Sequence, residues 1–115
     1  MLPQPHRLPR TADIERVVRS GRVLALPELR IHYQANQQPG HRIACVVGKR
    51  VSPQATVRHR WQRRLRSVAA EYITRQTSAG PHYDMVWVAQ PGLAQVQSFS
   101  EVERELATAL SHLSS

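Results

Sequence analysis

Cysteine, acidic side chains and long apolar runs are what this chain has least of, and each scarcity removes a class of function. Cys45 is the sole cysteine, so an internal disulfide is impossible. Its place within Ile43–Val47 predicts a buried small hydrophobe rather than a redox or catalytic thiol. That stretch of five is as long as any apolar run in the 115 residues, far short of the roughly 20 that span a bilayer. Residues Met1 to Arg10 carry no apolar segment of a secretory signal, so a cytoplasmic protein with no membrane partner is expected. The six histidines, His6, His32, His41, His59, His82 and His112, form no His-x-x-x-His or Cys–His pair, and no protein-bound metal is expected. A glycine-rich phosphate loop and a nucleophile elbow are also missing, which argues against a self-contained enzyme with catalytic residues of its own. Without repeats or low-complexity tracts, residues 1–115 read as one domain.

The shortage of acid is uneven. Sixteen Lys and Arg stand against eight Asp and Glu, a formal charge of +8. Up to Tyr83 there are fifteen basic and four acidic residues; from Asp84 onward there are one and four. The basic surface is therefore local, and a local patch of that sign concentrates polyanions, nucleic acid first among them. Lysine is scarce too: fifteen of the sixteen cations are arginine, whose planar guanidinium forks onto phosphate and stacks on bases.

Along the chain, Pro3, Pro5 and Pro9 oppose helix and predict an extended start. Thr11 is a candidate N-cap, Asp13 and Glu15 suit a helix N-terminus, Ile14, Val17 and Val18 recur at helical spacing, and Gly21 supplies a stop. Leu29, Ile31 and Tyr33 alternate with Arg30, His32 and Gln34, the pattern of a half-buried strand over Glu28–Gln34. Val23–Leu26 is a further candidate strand. After a turn at Asn36–Gly40, Arg42–Gly48 reads as a central strand covered on both faces. From Gln54 to Gln76, Val57, Trp61, Leu65, Val68 and Tyr72 fall within an arc of roughly 80° at 100° per residue, so this segment is a helix with one buried stripe. Trp61 and Tyr72 are thus assigned to the core. Tyr83–Gln90 reads as a strand closed by Pro91-Gly92. A last helix is expected near Ser100, with Ser100 and Glu103 as a capping box and an apolar stripe of Val102, Leu106, Ala109, Leu110 and Leu113. Helices interspersed among strands on one small sheet imply an α+β sandwich.

One segment stands out chemically. Between Arg58 and Arg66 lie Arg58, Arg60, Arg63, Arg64 and Arg66, with His59 among them and no acid. On the helix, Arg60, Arg63 and Arg66 project away from the stripe while Arg58 and Arg64 flank its edges. A merely solvated face would interleave glutamate at i, i+4. Unrelieved repulsion of this kind is tolerated when a polyanion supplies the counter-charge.

The residues also carry a family resemblance. Val46-Val47-Gly48-Lys49-Arg50-Val51, followed by Ala55-Thr56-Val57-Arg58-His59-Arg60-Trp61-Gln62-Arg63-Arg64-Leu65-Arg66, resembles the signature of the bacterial ribonuclease P protein, in which a strand ends in a basic pair and a helix follows with an R-N-R-x-x-R-R type motif. Arg7-Leu8, a first helix ending at Gly21, the Tyr83–Ala89 strand and a C-terminal helix match in order. The resemblance implies a sheet of about four strands with three helices and a left-handed βαβ crossover. It also implies a subunit of a tRNA 5′-processing endoribonuclease whose catalytic centre and magnesium lie on an RNA partner. Lys49, Arg50, Arg58, His59, Arg60, Arg63, Arg64 and Arg66 would then contact that RNA. The face between the first helix and the sheet would receive the leader of precursor tRNA, through Ile14, Arg16, Val18, Arg19, Arg30 and His32. His59 stands where the family usually has Asn, and Ile14 and Val18 stand where it often has aromatics. Two other readings rest on the same charge: a ribosome-associated or RNA-chaperone protein with no role in tRNA processing, and a helix-turn-helix protein reading duplex DNA. The strand-rich flanks disfavour the latter, and no DNA partner is expected.

Overall fold

The computed structural model describes residues 11–36, 40–75, 82–95 and 98–114. In chain order these form α1 (Thr11–Ser20), β1 (Arg22–Ala25), β2 (Leu29–Asn36), β3 (Arg42–Val46), α2 (Ala55–Arg75), β4 (His82–Ala89), a 3-10 turn (Pro91–Gln95) and α3 (Phe99–Ser114). The extended segment expected before α1 lies outside the described residues, as does most of the turn after Asn36.

The strands make one mixed sheet in the order β1-β2-β4-β3. β2 and β4 are the longest, at eight residues each, and pair antiparallel at its centre, while β3 lies parallel to β4. A parallel pair cannot be closed by a tight turn; here α2 makes the connection. The register aligns Ile31, Trp87 and Cys45 in one row and His32, Val86 and Ala44 in the next. Because strand side chains alternate, the first row faces one layer and the second row the other.

The larger core lies under the first row. Leu29, Ile31, Ile43, Cys45, Met85, Trp87 and Ala89 pack with Trp61, Leu65 and Ala69 of α2 and with Val102, Leu106, Ala109, Leu110 and Leu113 of α3. Burying a large apolar side chain contributes about 1.5–3 kcal/mol, so this layer supplies most of the hydrophobic stabilisation. On the other face a small cluster sets Val17 of α1 on Val86, with Ile14, Ala44 and Val88 around them. A ten-residue helix covers only part of that face, and the rest of the sheet is left open beside it.

Gly21 ends α1 for a steric reason. Its amide donates to the Val17 carbonyl at 2.9 Å, and a Cβ there would stand 2.5 Å from that oxygen and 2.6 Å from the Tyr33 carbonyl oxygen. The chain turns from helix into β1 through a gap that admits no side chain.

Two expectations need correction. Arg42–Gly48 was read as a central strand, but β3 is an edge, because β4 inserts between it and β2. Its continuous apolar run has a different origin: Ile43 and Cys45 enter the large core, Ala44 joins the small one, and Val46 is exposed. The capping box expected at Ser100 and Glu103 does not mark the helix start: α3 begins at Phe99, the Glu101 amide donates to the Ser98 carbonyl at 3.3 Å, and the hydroxyls of Ser98 and Ser100 pair at 2.7 Å. Ser98 and Glu101 repeat the same S-x-x-E spacing two residues earlier, a degeneracy that spacing alone does not resolve.

Candidate nucleic-acid interface

Between β3 and α2 the chain makes a tight turn, closed by the Val51 amide donating to the Gly48 carbonyl at 3.0 Å. Val51 is buried and anchors the turn, which leaves Lys49 and Arg50 exposed at its tip. The α2 helix follows, with Trp61, Leu65 and Ala69 turned into the core. That fixes its rotation, so His59, Arg60, Arg63, Arg64 and Arg66 are all exposed.

Arg58 and Arg64 differ from the others. Arg58 is partly buried and its Nη1 donates to the carbonyls of Ser52 and Pro53 at 3.0 and 2.9 Å, so it braces the linker onto the helix. Arg64 lies over the rings of Trp61 and Phe99, 5.2 and 5.6 Å from their centroids. Trp61 and Phe99 themselves meet at 5.7 Å. A guanidinium stacked on an aromatic face loses mobility but keeps its charge. Arg60, Arg63 and Arg66 have no ion pair among the described residues; the ion pairs there involve Arg16 and Arg42. The first turn of α2 holds no acid, so cations crowd the end of the helix where its dipole already favours an anion.

The second candidate surface is the open sheet face beside α1. Register places Val23, His32, Val86 and Ala44 in one row and Ala25, Arg30, Val88 and Val46 in the next. Among the described residues three large apolar side chains are exposed: Val18, Val23 and Val46, at 41%, 47% and 37%. Val23 and Val46 belong to these rows, and Val18 stands on α1 next to Val17. This sheet face thus keeps an exposed valine at each of its two edges, with Arg30 and His32 among its polar groups. Burial, followed by the charge of Arg30, holds the His32 imidazole below its ordinary value. Its Nδ1 is buried without a hydrogen-bond partner among the described residues.

The six residues assigned to this face from sequence are not equivalent. Arg30 and His32 lie on the open sheet face, Val18 is exposed on α1, and Ile14 is partly buried in the small core. Arg16 donates to Asp84 at 2.8 Å and lies 3.5 Å from Asp13, so its charge is already engaged. Arg19 is exposed two residues after the buried Val17, about 200° round the helix, and lies on the side away from the sheet.

Sequence reading missed Asp84, which organises the end of this face. It is 1% exposed. Its Oδ1 accepts from Arg42 Nε and Asn36 Nδ2, both at 2.8 Å, and its Oδ2 accepts from Arg42 Nη2 at 2.7 Å and from Arg16. Burial pushes the carboxyl up, but the hydrogen bonds from Arg42, Asn36 and Arg16 outweigh it and hold the group below the usual aspartate value. The available signal was a single acid inside the apolar strand Tyr83–Ala89. Val23 and Val46 gave no such signal, since their place in the cleft follows from strand register alone.

The thiol of Cys45 is buried, as the sequence suggested, and pushed up to about 12, chiefly by desolvation. Among the described residues no three His, Cys, Asp or Glu side chains converge as metal ligands, and no helix is long and apolar enough to cross a membrane.

Comparison with known proteins agrees with this architecture. Residues 2–114 match the family model described as Ribonuclease P. The ribonuclease P protein component of Rhodococcus erythropolis is 35% identical over 98% of this chain and 92% of its own length. That of Syntrophobacter fumaroxidans is 36% identical over 95% and 89%. Among solved structures, the Staphylococcus aureus RNase P protein superposes with a TM-score of 0.80 at 16% identity, over 96% of this chain and 98% of its own. The Thermotoga maritima protein gives 0.77 at 19%, over 95% and 98%, and at these identities the structures speak for the fold. By sequence and by architecture, the chain belongs to the family of ribonuclease P protein components.

Proposed function

We propose that this protein binds the catalytic RNA of ribonuclease P through the exposed face of α2 and the Lys49-Arg50 turn, and the single-stranded 5′ leader of precursor tRNA through the cleft beside α1. The observation that carries the reading is the set of exposed cations on α2, Arg60, Arg63 and Arg66, which no acid pairs with among the described residues. Such a surface is stabilised when phosphates replace its counterions. Arg64, held over Trp61 and Phe99, presents a cation in a fixed place, and Arg58 keeps the linker and the basic turn in register with the helix.

The second surface has a different character, and the difference suits a different ligand. Isolated cations among apolar side chains hold a flexible single strand, whose bases can lie on those side chains while phosphates meet Arg30. The exposed ones here are valine, so base contacts are weaker than the roughly 1–3 kcal/mol per base of an aromatic platform. Bond cleavage belongs to the RNA and the magnesium it holds; the protein contributes affinity and position.

The test is cleavage of precursor tRNA by the cognate ribonuclease P RNA at low magnesium and moderate salt, with and without the protein. Stimulation with correct 5′ ends is the expected result. Tight RNA binding without stimulation would overturn the assignment in favour of a general RNA-binding role.

A further inference from the structure

His32 occupies an unusual place in the open cleft, and the inference drawn from it rests on the leader-binding reading above. It sits mid-strand on β2, with Val23 of β1 on one side and Val86 of β4 on the other, and Arg30 follows on the same face. The charged groups facing this region from the packed elements are Asp13 and Arg16 of α1 and Asp84 of β4, with Arg42 of β3 beyond; β1 contributes Val23 and Ala25. Both carboxylates are already engaged by arginine, Asp84 by Arg16 and Arg42, and Asp13 by Arg16. Among the described residues no carboxylate facing this region is therefore free to hold a proton on His32, while Arg30 opposes one. A phosphate entering the cleft reverses that balance.

We propose that the leader is taken up together with one proton, which settles on His32, so that an imidazolium joins Arg30 against the leader's phosphates and the cleft grips the leader more tightly as pH falls. The depressed affinity of His32 for protons in the unbound protein, caused by burial and then by Arg30, supplies the range over which uptake occurs. A neutral imidazole near pH 7 has one donor and one acceptor. The imidazolium has two donors, and since Nδ1 is buried it is Nε2–H that meets the leader's phosphate. Ordinary histidine titrates close to neutrality, so a modest change of surroundings moves it across the working range.

The experiment uses the holoenzyme assembled from the full chain and its cognate RNA. The affinity for precursor tRNA is divided by that for mature tRNA at about pH 6 and about pH 8, which isolates the leader's contribution. For the wild type this ratio is expected to grow several-fold toward the lower pH, within the limit of about tenfold per pH unit for one proton. His32→Gln should flatten the dependence, and His32→Arg should keep a high ratio at both values. A leader contribution that is present but equally pH-dependent in His32→Gln, or independent of pH in the wild type, overturns proton uptake and leaves leader binding standing. A ratio of one at both pH values, unaffected by Arg30→Ala, overturns both readings.

Discussion

At Asp84 a carboxylate with almost no exposed surface accepts four hydrogen bonds from Arg42, Arg16 and Asn36. One side chain thereby fixes α1, β2, β3 and β4 to one another at the end of the cleft. Asp84→Asn removes the charge and leaves two guanidinium groups facing an amide. Breaking a fully buried pair costs about 3–5 kcal/mol; since Arg16 and Arg42 are partly exposed, the expected loss at about pH 7 is about 2–3 kcal/mol. The sign with pH follows from the downward shift. The stability Asp84 adds is complete above its ordinary value of 3.8 and is lost as pH falls through the lower folded value. Urea unfolding of wild type and Asp84→Asn should therefore differ near neutrality and converge in acid. Gly21 makes a second, purely steric prediction. Because a Cβ would collide with two carbonyl oxygens, Gly21→Ala should lower the unfolding free energy by about 1–3 kcal/mol, read from the same titrations, whereas Gly48→Ala, with open space around it, should leave it nearly unchanged.

Among the elements, α3 and the β1–β2 turn meet at two carboxyl groups. A hydrogen bond that protonated Glu105 can make to Glu28, then burial, then the charges of Glu28 and Glu101 raise its carboxyl above the ordinary 4.5. A raised carboxyl contributes its stability below 4.5 and loses it as pH climbs through the folded value. At neutral pH the turn and the helix thus repel each other. Glu105→Gln, which can donate to Glu28 without charge, should raise Tm by about a few °C near pH 7 and give no gain in acid, as thermal scans at the two pH values would show. This contact was illegible in the sequence because Glu28 and Glu105 are joined only by the tertiary packing. The α2 helix was legible for the opposite reason: its stripe is local, the 3.6-residue period fixes which side is buried, and the arginine face follows by exclusion. Strand existence was likewise local, written in the alternation at Leu29–Gln34. Strand order was not, since nothing in Arg42–Val46 records that β4 takes the place beside β2, and the cleft residues Val23 and Val46 depend on that order.

Across the whole molecule the charge separates along the fold. The densest basic run lies on the first half of α2 and the Lys49-Arg50 turn, while Glu101, Glu103 and Glu105 cluster at the start of α3. A polyanion is drawn to the basic surface of α2 and the Lys49-Arg50 turn before any specific contact forms. Exposed α2 arginines that bind phosphate release counterions one by one, and each adds about 0.7–0.9 to the slope of log K against log salt. Arg60→Ala, Arg63→Ala and Arg66→Ala combined remove three such groups, none of which makes an ion pair among the described residues. The triple variant should unfold at the same urea concentration as the wild type, bind the RNA subunit more weakly, and show a salt slope smaller by about 2–3. Arg64→Ala should behave differently. Its guanidinium lies against Trp61 and Phe99, so the single change should lower stability by about 0.5–1 kcal/mol while reducing the slope by no more than one phosphate's share. If the triple variant instead unfolded early with an unchanged slope, the arginines would be bracing the helix, and the electrostatic attraction for a polyanion would have to come from Lys49, Arg50 and the sheet face.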